Sequence, residues 1–235
     1  MSYKAIFAIA AALDYEIEQM DVKTAFLYRL IKDIVYVEQP HEFAEGDDVC
    51  LLDRALYGLK QSPRTWYETL TAYFEKIGFK LLDADISVFI RGNVFIVVYV
   101  NDLLIVGPLK KEISNIKAQL SKRFEMSDLG PYAYYLGITV RRDRVNRKIY
   151  LGQQAYIEKF LRDHNMWEQK VKTTPMDSSA KIELAEEGYT ALDELRKKYQ
   201  SAVGSLMYAM LGIRPDIAYL VSVVSRFCAN PTEAH

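Results

Sequence analysis

The chain has 235 residues, room for one large domain or two modest lobes at about 100–200 residues per domain. Half the residues are hydrophobic and 26% charged, and there are only 7 Pro and 11 Gly, which excludes disordered, collagen-like and low-complexity classes. Two cysteines, Cys50 and Cys228, build neither a disulfide framework nor a zinc site, so a reducing intracellular compartment is the default.

The formal net charge of −1 points to no particular partner, but the charge is unevenly spread. Residues 1–109 carry 10 Lys/Arg and 16 Asp/Glu (net −6), residues 110–172 carry 14 and 7 (net +7), and residues 173–235 carry 6 and 8 (net −2). In the basic stretch, Arg141, Arg142, Arg144, Arg147 and Lys148 fall within eight positions. That pattern reads as a footprint for a polyanion or as a solvated hairpin tip, and charge alone favours the tip.

In chain order, residues 4–13 predict an alanine-rich helix, apolar all round and therefore buried. The same run imitates a short signal-peptide core, but Asp14-Tyr15-Glu16 follows directly, and a buried helix accounts for it better. Residues 17–22 alternate apolar and polar as a half-buried strand that ends at Asp21. A short strand follows at 34–37 and another apolar piece at 49–52. Trp66, Leu70, Tyr73, Phe74 and Ile77 keep helical spacing between Pro63 and Gly78, where the helix should stop. Residues 86–106 form strands separated by Arg91-Gly92-Asn93 and by Asn101-Asp102, two polar residues between runs so apolar that they mark a tight turn. A helix over 112–124, a hairpin of 134–141 with 148–152, and a helix over 153–165 come next. Residues 168–190 are polar and read as a linker, and helices over 191–211 and 214–229 are split by Gly212 and Pro215. No run reaches the ~18–20 apolar residues of a membrane span. The order predicts an α+β lobe over 1–152 and a helical lobe over 153–235.

Asp21 and Asp102 carry the chemistry. Carboxylates at the ends of two adjacent strands can converge on divalent cations, and Mg²⁺ held by one or two carboxylates plus substrate phosphates is a polymerase-like arrangement. Taken singly, each aspartate reads rather as a cap on its strand or turn.

The segments Gln19–Leu27, Val35–Pro40, Leu56–Tyr67, Tyr99–Asp102, Tyr135–Ile138, Leu151–Tyr156, Thr173–Met176, Gly204–Tyr208 and Arg214–Ala218, in this order and spacing, closely resemble the reverse transcriptase of copia-type LTR retrotransposons. The resemblance spans essentially the whole chain. It implies a right-hand polymerase palm, a mostly antiparallel sheet with packed helices, followed by a helical thumb. It further implies Mg²⁺ at a two-metal site, RNA/DNA template-primer and dNTPs as partners, and an intracellular or virus-like-particle location without a membrane. Asp21 and Asp102 match the metal-binding aspartates. Phe26 matches the bulky position that screens the sugar 2′ side, and Lys60, Gln61 and Arg64 fall in the stretch facing template and nucleotide. Leu136, Gly137 and Ile138 match the primer grip, which brings the basic hairpin beside a nucleic-acid track.

Four departures from the family pattern stand out. Asn101 replaces the first aspartate of the Tyr-x-Asp-Asp turn and offers a neutral oxygen where a carboxylate would bind metal. The chain begins shortly before Asp21, which leaves out the fingers, and Tyr28-Arg29 replaces a turn. It also stops at His235, before any ribonuclease H segment. The expectation is therefore a polymerase domain that is truncated and impaired, its rivals being a nucleic-acid-binding remnant and an inert fragment.

Overall fold

The computed structural model describes residues 2–31, 33–135, 137–177 and 182–235. The chain forms two compact units, Met1–Tyr132 with Arg142–Ile149, and Ala133–Arg141 with Tyr150–His235.

The first unit opens with α1 (Ser2–Leu13). Five alanines favour the helix, and it ends where Asp14 takes a left-handed φ of 55° and Tyr15 N–H donates to the Ala10 carbonyl at 3.0 Å. Only Ile6, Phe7 and Ala10 are buried, whereas Leu13 is exposed, so the expectation of a helix buried all round is corrected to one apolar stripe. β1 (Glu16–Val22) follows, then a 3₁₀ turn at Ala25–Tyr28, β2 (Tyr36–Glu38) and β3 (Val49–Leu51). α2 (Ser62–Lys76) has a proline in its first turn and stops at Gly78, whose φ of 88° permits the Phe79 N–H to reach the Phe74 carbonyl at 2.9 Å. β4 (Lys80–Leu82), β5 (Asp85–Arg91), β6 (Val94–Tyr99), β7 (Asp102–Gly107), α3 (Lys110–Arg123) and β8 (Met126–Pro131) complete the series.

Six of these strands make one antiparallel sheet in the order β4-β5-β6-β7-β1-β8. Alternation divides its residues between two faces. Met20, Val22, Phe89, Ile96, Val98, Leu103 and Ile105 pack beneath Trp66, Leu70 and Phe74 of α2 and Ile113, Ile116 and Leu120 of α3. The alternate residues Ile17, Leu104 and Val106 are also buried, on the face against which α1 packs. This double cover explains why β6 and β7 are apolar at nearly every position. β2 and β3 pair only with each other, outside the sheet.

The tip of the basic hairpin belongs to this unit and fastens α1. Arg142 donates to the carbonyls of Tyr15 and Ala10 and to the Asp14 carboxylate, Arg144 pairs with Asp14 and Glu16, and Arg147 donates to the Ala12 carbonyl. The last turn of α1 holds no basic residue of its own, so these arginines satisfy its open carbonyls and its dipole. The tip is exposed over residues 144–148, as charge alone favours, and three of its five cations also bond the protein.

β9 (Tyr134–Tyr135), β10 (Ile138–Asp143) and β11 (Lys148–Gly152) form a sheet in the order β11-β10-β9, of which the second unit holds all but residues 142–149. α4 (Gln154–Asp163), α5 (Asp193–Gly212), a 3₁₀ turn at Pro215–Ile217 and α6 (Ala218–Ser225) follow. Ala209, Ile217 and Val221 form their core, flanked by Tyr156, Leu206 and Met210. The described residues between α4 and α5 carry no helix or strand.

Candidate active site

β1 and β7 are neighbours, and their register places Asp21 directly opposite Asp102, although eighty positions separate them in sequence. Residues so paired hold their β-carbons about 4.5–5.5 Å apart on one face. The two aspartates converge as expected.

Asn101 joins them from the β6–β7 turn. Tyr99 pairs with Asp102, which leaves Val100 and Asn101 as a two-residue loop. Val100 adopts a φ of 56°, a conformation that a β-branched residue pays for in strain and that persists only when the surroundings fix it. The fixings are visible. Trp66 Nε1 donates to the Val100 carbonyl at 2.7 Å, and the Val22 N–H donates to the Asn101 carbonyl at 2.9 Å. Trp66 is only 2% exposed, so the turn is anchored to the core of the unit.

The Asn101 side-chain amide donates to Asp21 Oδ1, and Gln19 Nε2 donates to Asp102 Oδ1 at 3.1 Å. Burial pushes the Asp21 carboxyl above the usual carboxylate range and the Asp102 charge pushes it further, while the hydrogen bond from Asn101 works the other way. Two carboxylates side by side, one of them proton-hungry from burial and then from the charge of the other, form a place where a cation relieves repulsion. Among the described residues no group of three or more His, Cys, Asp or Glu is placed to hold a metal. Two carboxylates fit an ion such as Mg²⁺, which takes one or two and completes its shell from substrate and water. Asn101 fits less well, since its nitrogen, not its oxygen, faces Asp21.

The remaining predicted residues are dispersed. Phe26 is 5% exposed, its ring 4.4 Å from that of Tyr57. Lys60 is exposed just before α2. Gln61 Nε2 lies 3.4 Å from Asp33, and Arg64 pairs with Glu68 one helical turn on at 3.2 Å. Gly137 and Ile138 belong to the second unit. Gly137 has a φ of 74°, and a β-carbon there would stand 2.1 Å from the Tyr208 hydroxyl; Ile138 is buried and pairs with Tyr135. Leu136 lies outside the described residues. Sequence reasoning missed Gln19 and Trp66. Gln19 was within reach, because a residue two before Asp21 on a strand shares its face. Nothing local marks Trp66 as the anchor of a turn 34 residues away.

The profile of the reverse transcriptase (RNA-dependent DNA polymerase) family matches residues 1–178. The chain belongs to this family. It is 42% identical, over its whole length, to the retrovirus-related Pol polyprotein from transposon TNT 1-94 of Nicotiana tabacum, covering 18% of that protein. A transposon Ty5-1 protein of Saccharomyces cerevisiae is 35% identical over 92% of this chain and 71% of its own length. A foamy viral protease–reverse transcriptase, solved in complex with an RNA/DNA hybrid, aligns with 90% of this chain and 24% of its own at a TM-score of 0.48 and 15% identity. The copia-type resemblance read from the sequence is borne out. The chain spans less than a fifth of the plant transposon polyproteins it matches.

Proposed function

We propose that Asp21 and Asp102 form the divalent-cation site of an RNA-directed DNA polymerase, and that Asn101 weakens it. The observation that carries this reading is the Asp21–Asp102 register pair, joined by Asn101 from a strained and anchored turn. The reaction is attack of a primer 3′-hydroxyl on the α-phosphate of a dNTP, directed by an RNA template, with release of pyrophosphate. Mg²⁺, when bound, supplies charge stabilisation at the attacking and leaving oxygens. The chain's own residues position. Gln19 orients the Asp102 carboxylate, Trp66 and the Val22 N–H hold the turn, and Phe26 borders the sugar. Lys60, Gln61 and Arg64 meet template and triphosphate, and Leu136, Gly137 and Ile138 grip the primer. On this reading residues 1–152 are the palm and 153–235 the thumb.

Asn101 removes one negative charge where the reaction depends almost wholly on electrostatics and positioning. It also occupies Asp21 with a hydrogen bond that a cation must displace.

The test is extension of a labelled DNA primer on an RNA template with Mg²⁺ and dNTPs. The unmodified chain is expected to extend poorly. Asn101→Asp should improve it, whereas Asp21→Asn and Asp102→Asn should abolish what extension there is. Extension that is untouched by Asp21→Asn would refute the assignment.

A further inference from the structure

Tyr28 and Arg29, which depart from the family pattern, clasp the segment that carries Phe26. Tyr28 is the last residue of the 3₁₀ turn Ala25–Tyr28, and Arg29 caps it. By itself this turn holds Phe26 weakly, because 3₁₀ hydrogen bonds have poor geometry. The Leu27 N–H donates to the Thr24 carbonyl at 2.9 Å, and Thr24 has a φ of 50°. That conformation is costly for a β-branched residue and persists only where the surroundings fix it. The fixing comes from outside the turn.

On one side Tyr28 supplies it. Its hydroxyl accepts the Glu125 N–H, and its ring meets Phe124 edge-on at 5.2 Å and lies 6.0 Å from Trp66. Phe124 is buried and also meets Trp66 and Tyr73 edge-on, at 5.4 and 5.3 Å, so Tyr28 sits against the centre of an aromatic cluster. Glu125 is held in its turn: its carbonyl accepts the Lys23 N–H at 2.9 Å, and its carboxylate pairs with Lys23 at 3.0 Å. On the other side Arg29 donates to the Thr69 hydroxyl at 3.4 Å and faces Glu68 at 3.7 Å, both on α2, and its carbonyl accepts the Ala55 N–H at 3.2 Å. All these partners are residues of the first unit.

A ribonucleotide differs from a deoxynucleotide by one hydroxyl, and an apolar wall that can yield rejects an added hydroxyl weakly. How firmly the wall is held therefore decides how much the 2′-hydroxyl costs, since a close-packed support passes the overlap on as strain. We infer that Tyr28 is a positioning residue that sets discrimination against the ribose 2′-hydroxyl by fixing the Phe26 ring. The inference rests on the reading of Phe26 as the border of the sugar. It assigns to Tyr28 a role that acts through Phe26 and touches neither nucleotide nor metal.

The test compares dATP with ATP as the next nucleotide in extension of a labelled DNA primer on an RNA template, in the 235-residue chain and in its Asn101→Asp form. Phe26→Val shortens the wall itself and should lower the ratio of kcat/KM for dATP over ATP about tenfold or more. Tyr28→Phe keeps the ring and loses the bond to Glu125, and should lower the ratio about fivefold through a lower KM for ATP. Tyr28→Leu, which also loses the aromatic contacts, should lower it further. A merely structural loss would reduce the use of both nucleotides together and leave the ratio in place. Hydrogen exchange reads the same clasp without activity: Tyr28→Phe should speed exchange of the Leu27 amide about fivefold while Ile96 and Leu104 stay protected. Tyr28→Phe is nearly isosteric, and an unchanged circular dichroism spectrum should show that it folds. A ratio that falls with Phe26→Val but with neither Tyr28 variant overturns this inference alone, and so does Leu27 exchange that Tyr28→Phe leaves unchanged. A ratio indifferent to Phe26→Val removes the reading of Phe26 and the inference with it. A chain that incorporates neither nucleotide, in either form, removes the polymerase reading and the inference together.

Discussion

Replacing Lys117 by Met should be among the most damaging single changes in the first unit. Its ammonium is almost fully buried, on α3, where it bonds the Glu18 carboxylate of β1 and lies 2.5 Å from Asp128 of β8. Glu18 is equally buried, while Asp128 is half open to solvent. Methionine keeps most of the volume, so packing changes little, but Glu18 is left as a buried charge with only the exposed Lys110 near it, at 4.0 Å. Removing one partner of such a pair costs about 3–5 kcal/mol, whereas replacing both by apolar groups of similar size is often neutral or favourable. The exposed Asp128 adds little, as screened pairs are worth about 0–1 kcal/mol. Lys117→Met and Glu18→Gln should therefore each destabilise the unit, Lys117→Met by about 3–5 kcal/mol, and Glu18→Leu with Lys117→Met should recover most of the loss. Urea unfolding followed by Trp66 fluorescence, in a Trp167→Phe background, reports on this unit alone. A loss under about 1 kcal/mol for Lys117→Met, or strict additivity in the double variant, would refute the buried-pair argument.

Three further outcomes follow from named contacts. Trp66→Phe removes the donor to the Val100 carbonyl and leaves a gap, so it should cost about 2–4 kcal/mol by chemical denaturation and speed amide exchange at Asn101. Arg142→Ala leaves the Ala10 and Tyr15 carbonyls without their guanidinium, and exchange should accelerate across α1 while β6 and β7 stay protected. Asp85 is held down to about 2, chiefly by Ser2 and then by the Ser87 hydroxyl and N–H, so its folded pKa lies below the unfolded value. A depressed carboxylate contributes stability above the unfolded pKa and loses it as pH falls through the folded one. The stability difference between wild type and Asp85→Asn should therefore be constant above about pH 5 and shrink between about pH 4 and 2, whereas a difference independent of pH would refute this.

How much of this was legible in the sequence varied with the source of each element's stability. β6 and β7 are doubly covered and declare themselves as unbroken apolar runs, and Asp21 and Asp102 stand where those patterns meet polar residues. β8 was missed because Met126-Ser127-Asp128-Leu129-Gly130-Pro131 has no alternation; it is a strand because β1 offers an open edge. A register shift between Gln19 and Met20 accommodates it. β4 is three residues long and borrows its order from β5. The contacts of the basic hairpin were not legible, because its partners are backbone carbonyls and two carboxylates at the end of α1, which no composition reveals. Helices over 191–211 and 214–229 were close, but the second ends at Ser225, and its contribution to the core is Val221.

The central claim is that Asp21 and Asp102 share a divalent cation and that Asn101 weakens it. Mn²⁺ titration followed by electron paramagnetic resonance, in which free ion gives the sharp signal and bound ion does not, measures this without substrate. The account predicts weak binding by the unmodified chain, loss of that binding in Asp21→Asn/Asp102→Asn, and tighter binding by Asn101→Asp of the order of 1–3 kcal/mol, or about 5–150-fold. Identical titrations for all three proteins would contradict it.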